Sequence, residues 1–437
     1  MTVAEPGLTE APRISTRRFV AAATIGNALA FYDFITYGFF AIQIGHTFFP
    51  THNAYGSLML SFATFGAGFL TRPIGGVVIG TYSDRVGRRA GMMLSFILMG
   101  VSIIALALVP SYAKIGIAAP ILALIARLVQ GFALGGEVGP NTAFLLEAAP
   151  EESRGLLVSW QGASQGIAGT LAGVVGVILA SLMAPEMLES WGWRIAFLLG
   201  AVTLPFGIYL RSIVHETLHE PEANAMTEDT ATLDGWPAIR AHGGLIGLAV
   251  IVLGSGTIST YVGNYLTTFA QNQMHLSPTI AFASQVISYS VGIVTVLWGG
   301  WLSDRVGRRP MMVWPNLLYL ILIYPIFLWM VDSLSATSLL VGIFVLSAVS
   351  SVGFGAFYAA LAESLPKNIR GRTLGTVYAC SIAAFGGTTS LVVTWLIKVT
   401  GNPMAPGWYM LGATAIGTVA MYLMRESAPV KLAPHAG

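Results

Sequence analysis

The chain has 437 residues, of which 55% are hydrophobic and only 10% charged, with a net charge of +2 and a mean hydropathy of +0.72. Soluble domains carry about 25% charged residues, so most of this surface is solvated by lipid, and the small net charge, with no basic run interleaved with aromatics, excludes a nucleic-acid binder. The lone cysteine, Cys380, excludes an intramolecular disulfide.

The polar start, residues 1–16, leads into an apolar segment too long for a signal-peptide core, which reads as an uncleaved first span. Apolar runs of about 20 residues then predict twelve transmembrane helices. They cover 18–47, 56–81, 90–110, 115–144, 155–183, 192–213, 243–271, 278–302, 310–331, 335–364, 371–399 and 405–424. The expected fold is an all-α membrane protein of two pseudo-symmetric six-helix halves. The expected organisation is an N-terminal tail at 1–17, a first half at 18–213, a linker at 214–242, a second half at 243–424 and a C-terminal tail at 425–437. Seventeen of the 22 Lys and Arg fall on the side of the tails and linker. The positive-inside rule makes that side cytoplasmic, with both termini inside an inner (plasma) membrane.

A long internal repeat fixes the two halves. The string Gly80-Thr81-Tyr82-Ser83-Asp84-Arg85-Val86-Gly87-Arg88-Arg89 returns 220 residues later as Gly300-Trp301-Leu302-Ser303-Asp304-Arg305-Val306-Gly307-Arg308-Arg309. A second pair, Glu147 to Arg154 and Glu363 to Arg370, is offset by 216. Twelve spans with G-x-x-x-D-R-x-G-R-R between the second and third helices of each half resemble the major facilitator superfamily. The strings Gly26-Asn27-Ala28-Leu29, Tyr32-Asp33-Phe34, Arg72-Pro73-Ile74-Gly75-Gly76 and Arg127-Leu128-Val129-Gln130-Gly131-Phe132 are similar to its metabolite:proton symporter branch. Ala30 stands where that branch commonly has an acidic residue.

Charge inside a membrane is costly and marks function by default. The first half holds Asp33, Arg72, Arg127 and Glu137 within spans. Asp33 is the candidate proton carrier with Arg127 as its partner, the alternative being a static ion pair that fixes packing. Glu137 is either a second carrier or a permanent partner of an arginine. Arg72 either attracts an anion or pairs structurally. Arg127, Gln130, Leu134, Glu137 and Asn141 recur at steps of three or four, a stripe that must face protein or water. Tyr37 and Asn141 join the candidate substrate ligands, and so do Gln161 and Gln165, which share one face of the fifth helix among packing glycines. In the second half Tyr261, Asn264, Tyr265, Tyr289 and Tyr358 supply an uncharged hydrogen-bonding wall or serve interhelix packing.

The resemblance implies a cytoplasmic gate made by Gly80, Asp84, Arg85, Gly87, Arg88, Arg89 and Arg154, and by Gly300, Asp304, Arg305, Gly307, Arg308, Arg309 and Arg370. Their aspartates would accept bonds from a neighbouring helix N-terminus and from Arg154 or Arg370. The alternative is that these arginines fix topology and bind headgroups. Ser159-Trp160-Gln161 with Ser164-Gln165, and Phe385-Gly386-Gly387, look like citrate and tricarballylate carriers, although Thr389 replaces an expected proline.

The expected function is therefore proton-coupled uptake of a small organic carboxylate, a tricarboxylate or dicarboxylate, by alternating access. The alternative is a zwitterionic osmolyte of proline or betaine type, or another small metabolite such as shikimate. Osmolyte carriers of that type usually extend well beyond the last span, and this chain stops soon after it. No enzyme, cofactor, metal, nucleic-acid or obligate protein partner is expected. No Gly-Lys pair exists to form a phosphate loop, so the proton gradient is the expected energy source. His215-Glu216-Thr217-Leu218-His219 matches H-E-x-x-H but lies in the polar linker, and no zinc is expected there.

Overall fold

The computed structural model describes residues 16–51, 53–86, 88–135, 149–201 and 242–432, apart from 366, together with 145 and 205. Linker residues 214–241, Glu137, Asn141 and the H-E-x-x-H string lie outside the described residues, as do the side chains of Asp84, Arg88, Arg89 and Arg370.

Every predicted span contains helix. The first is α1 (Thr16–Phe39) and α2 (Ala41–Phe48), bent by 69° at Phe40. The second is α3 (Ala54–Leu70) and α4 (Arg72–Val86), joined at Thr71 into one continuous span. Then come α5 (Arg88–Leu108), α6 (Ala118–Leu134), α7 (Arg154–Leu182) and a helix over 193–201. The second half has α8 (Gly243–Asn272), α9 (Pro278–Val306), α10 (Arg308–Ser333) and α11 (Ala336–Glu363). Its eleventh span is α12 (Lys367–Ser381), a π-helical turn Ile382–Gly386 and α13 (Gly387–Thr400), and α14 (Ala405–Leu423) closes the set. Among the described residues, seven helices are long and apolar enough to cross a membrane by themselves, or eight with the bent pair.

Local chemistry sets the ends. Asn53, Ser277 and Ser335 each accept a bond from a backbone N–H in the first turn of α3, α9 and α11, satisfying a donor that no helical carbonyl can reach. Outward faces carry large exposed apolar side chains such as Val77, Leu182, Trp314, Ile321 and Ile416, the surface a lipid solvent requires.

Inside, small residues decide how closely helices approach. A Cβ on Gly131 of α6 would run into the Gly68 carbonyl of α3. On α7, Gly169 lies under the Tyr289 ring of α9 and Gly176 under Phe282, so the two halves of the chain meet along this line. Gly66 and Gly387 make the equivalent backbone approach between α3 and α13.

Candidate functional site

Asp33, Arg72 and Arg127 lie where α1, α3, α4 and α6 meet α8. Phe65, Phe69 and Arg72 follow one another at i, i+4 and i+7 along the second span, which puts them on one face. That face meets Phe34 and Tyr37 of α1 and Arg127 of α6. Tyr261 of α8 reaches in from the second half, its ring 5.9 Å from Phe65 and 5.8 Å from Phe69. The π-helical turn Ile382–Gly386 lies against Tyr261, and Tyr378 of α12 interacts with Arg72.

Arg72 and Arg127 are buried in this cluster. Cζ of Arg72 is 4.3 Å from the centroids of both Phe34 and Phe69. Cζ of Arg127 is 4.3 Å from Phe34, 4.4 Å from Tyr37 and 5.2 Å from Phe65. Phe34 therefore contacts both guanidiniums. Arg127 also donates from Nη1 to Oε1 of Gln130, one turn along α6. Among the described residues, Nε and Nη2 of each arginine and Nε2 of Gln130 have no hydrogen-bond partner.

Asp33 is 1% exposed, and neither carboxylate oxygen has a hydrogen-bond partner among the described residues. Among the described residues, the Asp33 carboxylate makes no hydrogen-bonded pair with Arg127, the partner expected from the sequence. Phe34 and Tyr37 are the α1 side chains whose rings lie over the Arg127 guanidinium, and Phe34 also lies over Arg72. The carboxylate still lies in the field of both cations.

Other predicted site residues distribute as follows. Tyr37 is buried, donates to the Ser61 carbonyl at 3.2 Å and stacks on Phe65. Asn264 accepts from the Tyr289 hydroxyl at 2.8 Å, and that ring lies 6.1 Å from Phe39. Tyr265 packs on Phe62, and Tyr358 on Phe354 and Phe357. Gln161 is buried and donates to Asn27 Oδ1 at 3.3 Å, while Asn27 donates to Ser164 at 2.6 Å, a network that ties α1 to α7. Gln165 sits one turn further, partly buried.

The second repeated motif is a closed polar lock. Asp304 accepts from the backbone N–H of Gly155 at 2.7 Å and of Leu156 at 3.0 Å, the N-terminus of α7. An arginine of the same motif, Arg308, is one of its partners; of the two arginines the sequence suggested, Arg154 and Arg370, the side chain of Arg370 lies outside the described residues. Arg308 is fully buried and donates to Asp304 at 2.6 Å, to Ser303 at 2.7 Å and to both oxygens of Glu363 at 2.8 and 3.1 Å. Gly307, at φ +115, lets α10 start at once, which brings Arg308 back over Asp304. Glu426 caps α10 by accepting from the N–H groups of Arg308 at 2.8 Å and Arg309 at 3.0 Å. Arg305 stacks on Trp301 and Arg309 on Tyr422. Gly300 packs against Gly155 of α7. In the first motif, Gly80 is partly buried and Arg85 exposed at the end of α4, and Arg154 is partly buried at the start of α7.

Phe34, Phe65, Phe69 and Tyr378 of the cluster were not among the candidates. The signal for Phe65 and Phe69 was the i, i+4, i+7 spacing that ends in Arg72, which reads equally well as ordinary core.

A family model described as Major Facilitator Superfamily matches residues 23–296 and again 279–436. The chain belongs to the major facilitator superfamily. Within that superfamily it is 34% identical over 421 residues to a citrate-proton symporter of Salmonella typhi, covering 94% of each chain. It is 33% identical to a putative proline/betaine transporter of Staphylococcus aureus (strain COL), over 94% of this chain and 88% of that one. A crystal structure of a D-xylose-proton symporter superposes with a TM-score of 0.76 at 18% identity, over 95% of this chain and 99% of that one, a likeness of fold. The chain is thus a multi-pass integral membrane protein of the superfamily's all-α fold.

Proposed function

We propose that the chain is a proton-coupled symporter that takes up a small organic carboxylate, a tricarboxylate or dicarboxylate, with the proton gradient as its energy source and no cofactor. The observation that carries the reading is the pair of buried arginines whose Nε and Nη2 have no hydrogen-bond partner among the described residues, beside a buried carboxylate. Buried cations without counter-ions are costly, and an anionic ligand offsets that cost in a way a neutral or zwitterionic solute does less well. The citrate-proton symporter relative supports the same class.

Substrate would bind between halves 18–213 and 243–424, joined by 214–242, which rock about it in the inner (plasma) membrane with both termini cytoplasmic. Asp33, lacking a hydrogen-bond partner among the described residues, is the proton carrier of this scheme. Ionised, it competes with the ligand for the field of Arg72 and Arg127; protonated, it leaves both cations to the ligand. Proton and anion therefore favour each other's binding. The Asp304–Arg308–Glu363 lock holds the cytoplasmic ends together until the carrier opens inward.

The proline/betaine relative supports a second reading, uptake of a zwitterionic osmolyte. Against it, the rings that could cage a quaternary ammonium already hold two guanidiniums. Isothermal titration of the purified protein with citrate, tricarballylate, succinate, proline and betaine at two pH values separates the readings. Carboxylate binding that strengthens at the lower pH is expected. Binding of betaine or proline with no response to any carboxylate overturns the proposal.

A further inference from the structure

The two cations of the cluster are held by aromatic faces, and one ring serves both. Cζ of Arg72 and Cζ of Arg127 each lie 4.3 Å from the Phe34 centroid. A carboxylate counter-ion would take the in-plane N–H fork of a guanidinium, the same edge that binds a ligand carboxylate. An aromatic ring that stacks on the flat face of a guanidinium leaves that edge free. In keeping with this, Nε and Nη2 of both buried arginines have no partner among the described residues. The other rings are not shared: Phe69 contacts only Arg72, while Tyr37 and Phe65 contact only Arg127.

We propose that Phe34 is a positioning residue for substrate specificity: it fixes the two guanidiniums relative to each other, so that their donor edges together receive one ligand bearing two anionic groups. The inference rests on the carboxylate reading above and narrows it, because a monoanion engages one guanidinium and gains little from the spacing that Phe34 sets.

The test is isothermal titration of the detergent-purified full chain with citrate, succinate and acetate. Phe34→Leu should bind citrate and succinate about tenfold or more weakly, the equivalent of one desolvated cation–π contact, and acetate less than threefold more weakly. Phe34→Tyr, which keeps the ring, should restore affinity to within about threefold of the parent. Phe69→Leu, which frees Arg72 alone, should weaken succinate binding by about threefold, and it decides the matter if Phe34→Leu is not monodisperse. Unchanged succinate affinity in the folded leucine variant overturns the proposal, and so does an equal loss for succinate and acetate. If the parent binds none of the three probes, the carboxylate reading falls and this inference with it. If the parent binds succinate and the leucine variants bind it equally well, only the role of Phe34 falls.

Discussion

Arg308→Met removes the charged centre of the Asp304–Arg308–Glu363 lock while keeping an unbranched stem. Arg308 is fully buried, and the side chains of its two ion-pair partners are also covered, Asp304 at 4% exposure and Glu363 at 6%. Breaking a buried pair by deleting one partner costs about 3–5 kcal/mol, most of it the penalty of stranding the remaining charge. The two acids are stranded unequally. Among the described residues, Asp304 keeps the N–H groups of Gly155 and Leu156, whereas Glu363 keeps the Ser427 hydroxyl at 3.0 Å. Most of the penalty should therefore sit on Glu363. Adding Glu363→Gln to Arg308→Met should recover more than half of the lost stability, although Glu363→Gln alone destabilises. Equilibrium unfolding in mixed detergent micelles, run as a double-mutant cycle, measures this coupling directly. A loss below about 1 kcal/mol in Arg308→Met, or a further loss on adding Glu363→Gln, would refute the reasoning.

Asp33→Asn should retain substrate exchange in proteoliposomes yet lose accumulation driven by a pH gradient, because an amide cannot take up the proton that couples the two fluxes; undiminished accumulation counts against the mechanism. Gly131→Leu should abolish monodisperse protein in size-exclusion chromatography, since even a Cβ there meets the Gly68 carbonyl and overpacking costs about 1–3 kcal/mol or more. Gln161→Ala should cost about 1 kcal/mol of unfolding free energy and leave KM within about twofold, because its amide is spent on Asn27; a tenfold rise in KM would make it a ligand instead.

The amino-acid order determined the helix spans, because a lipid solvent forces every backbone group into helix and every span into a run of apolar residues of bilayer length. It also determined the duplication, through the two copies of the G-x-x-x-D-R-x-G-R-R string, and it singled out Asp33, Arg72 and Arg127 as charges too costly to be idle. Tertiary packing alone decided which groups those charges face. Asp33 and Phe34 are neighbours in sequence, yet the Phe34 ring lies over both guanidiniums while the Asp33 carboxylate has no hydrogen-bond partner among the described residues. Likewise Arg308 binds Asp304, because a glycine at positive φ folds the start of α10 back over the end of α9. Periodicity tells which residues share a face; what that face meets depends on how closely other helices approach, and glycines such as Gly131 and Gly169 set that distance through contacts far away in the chain.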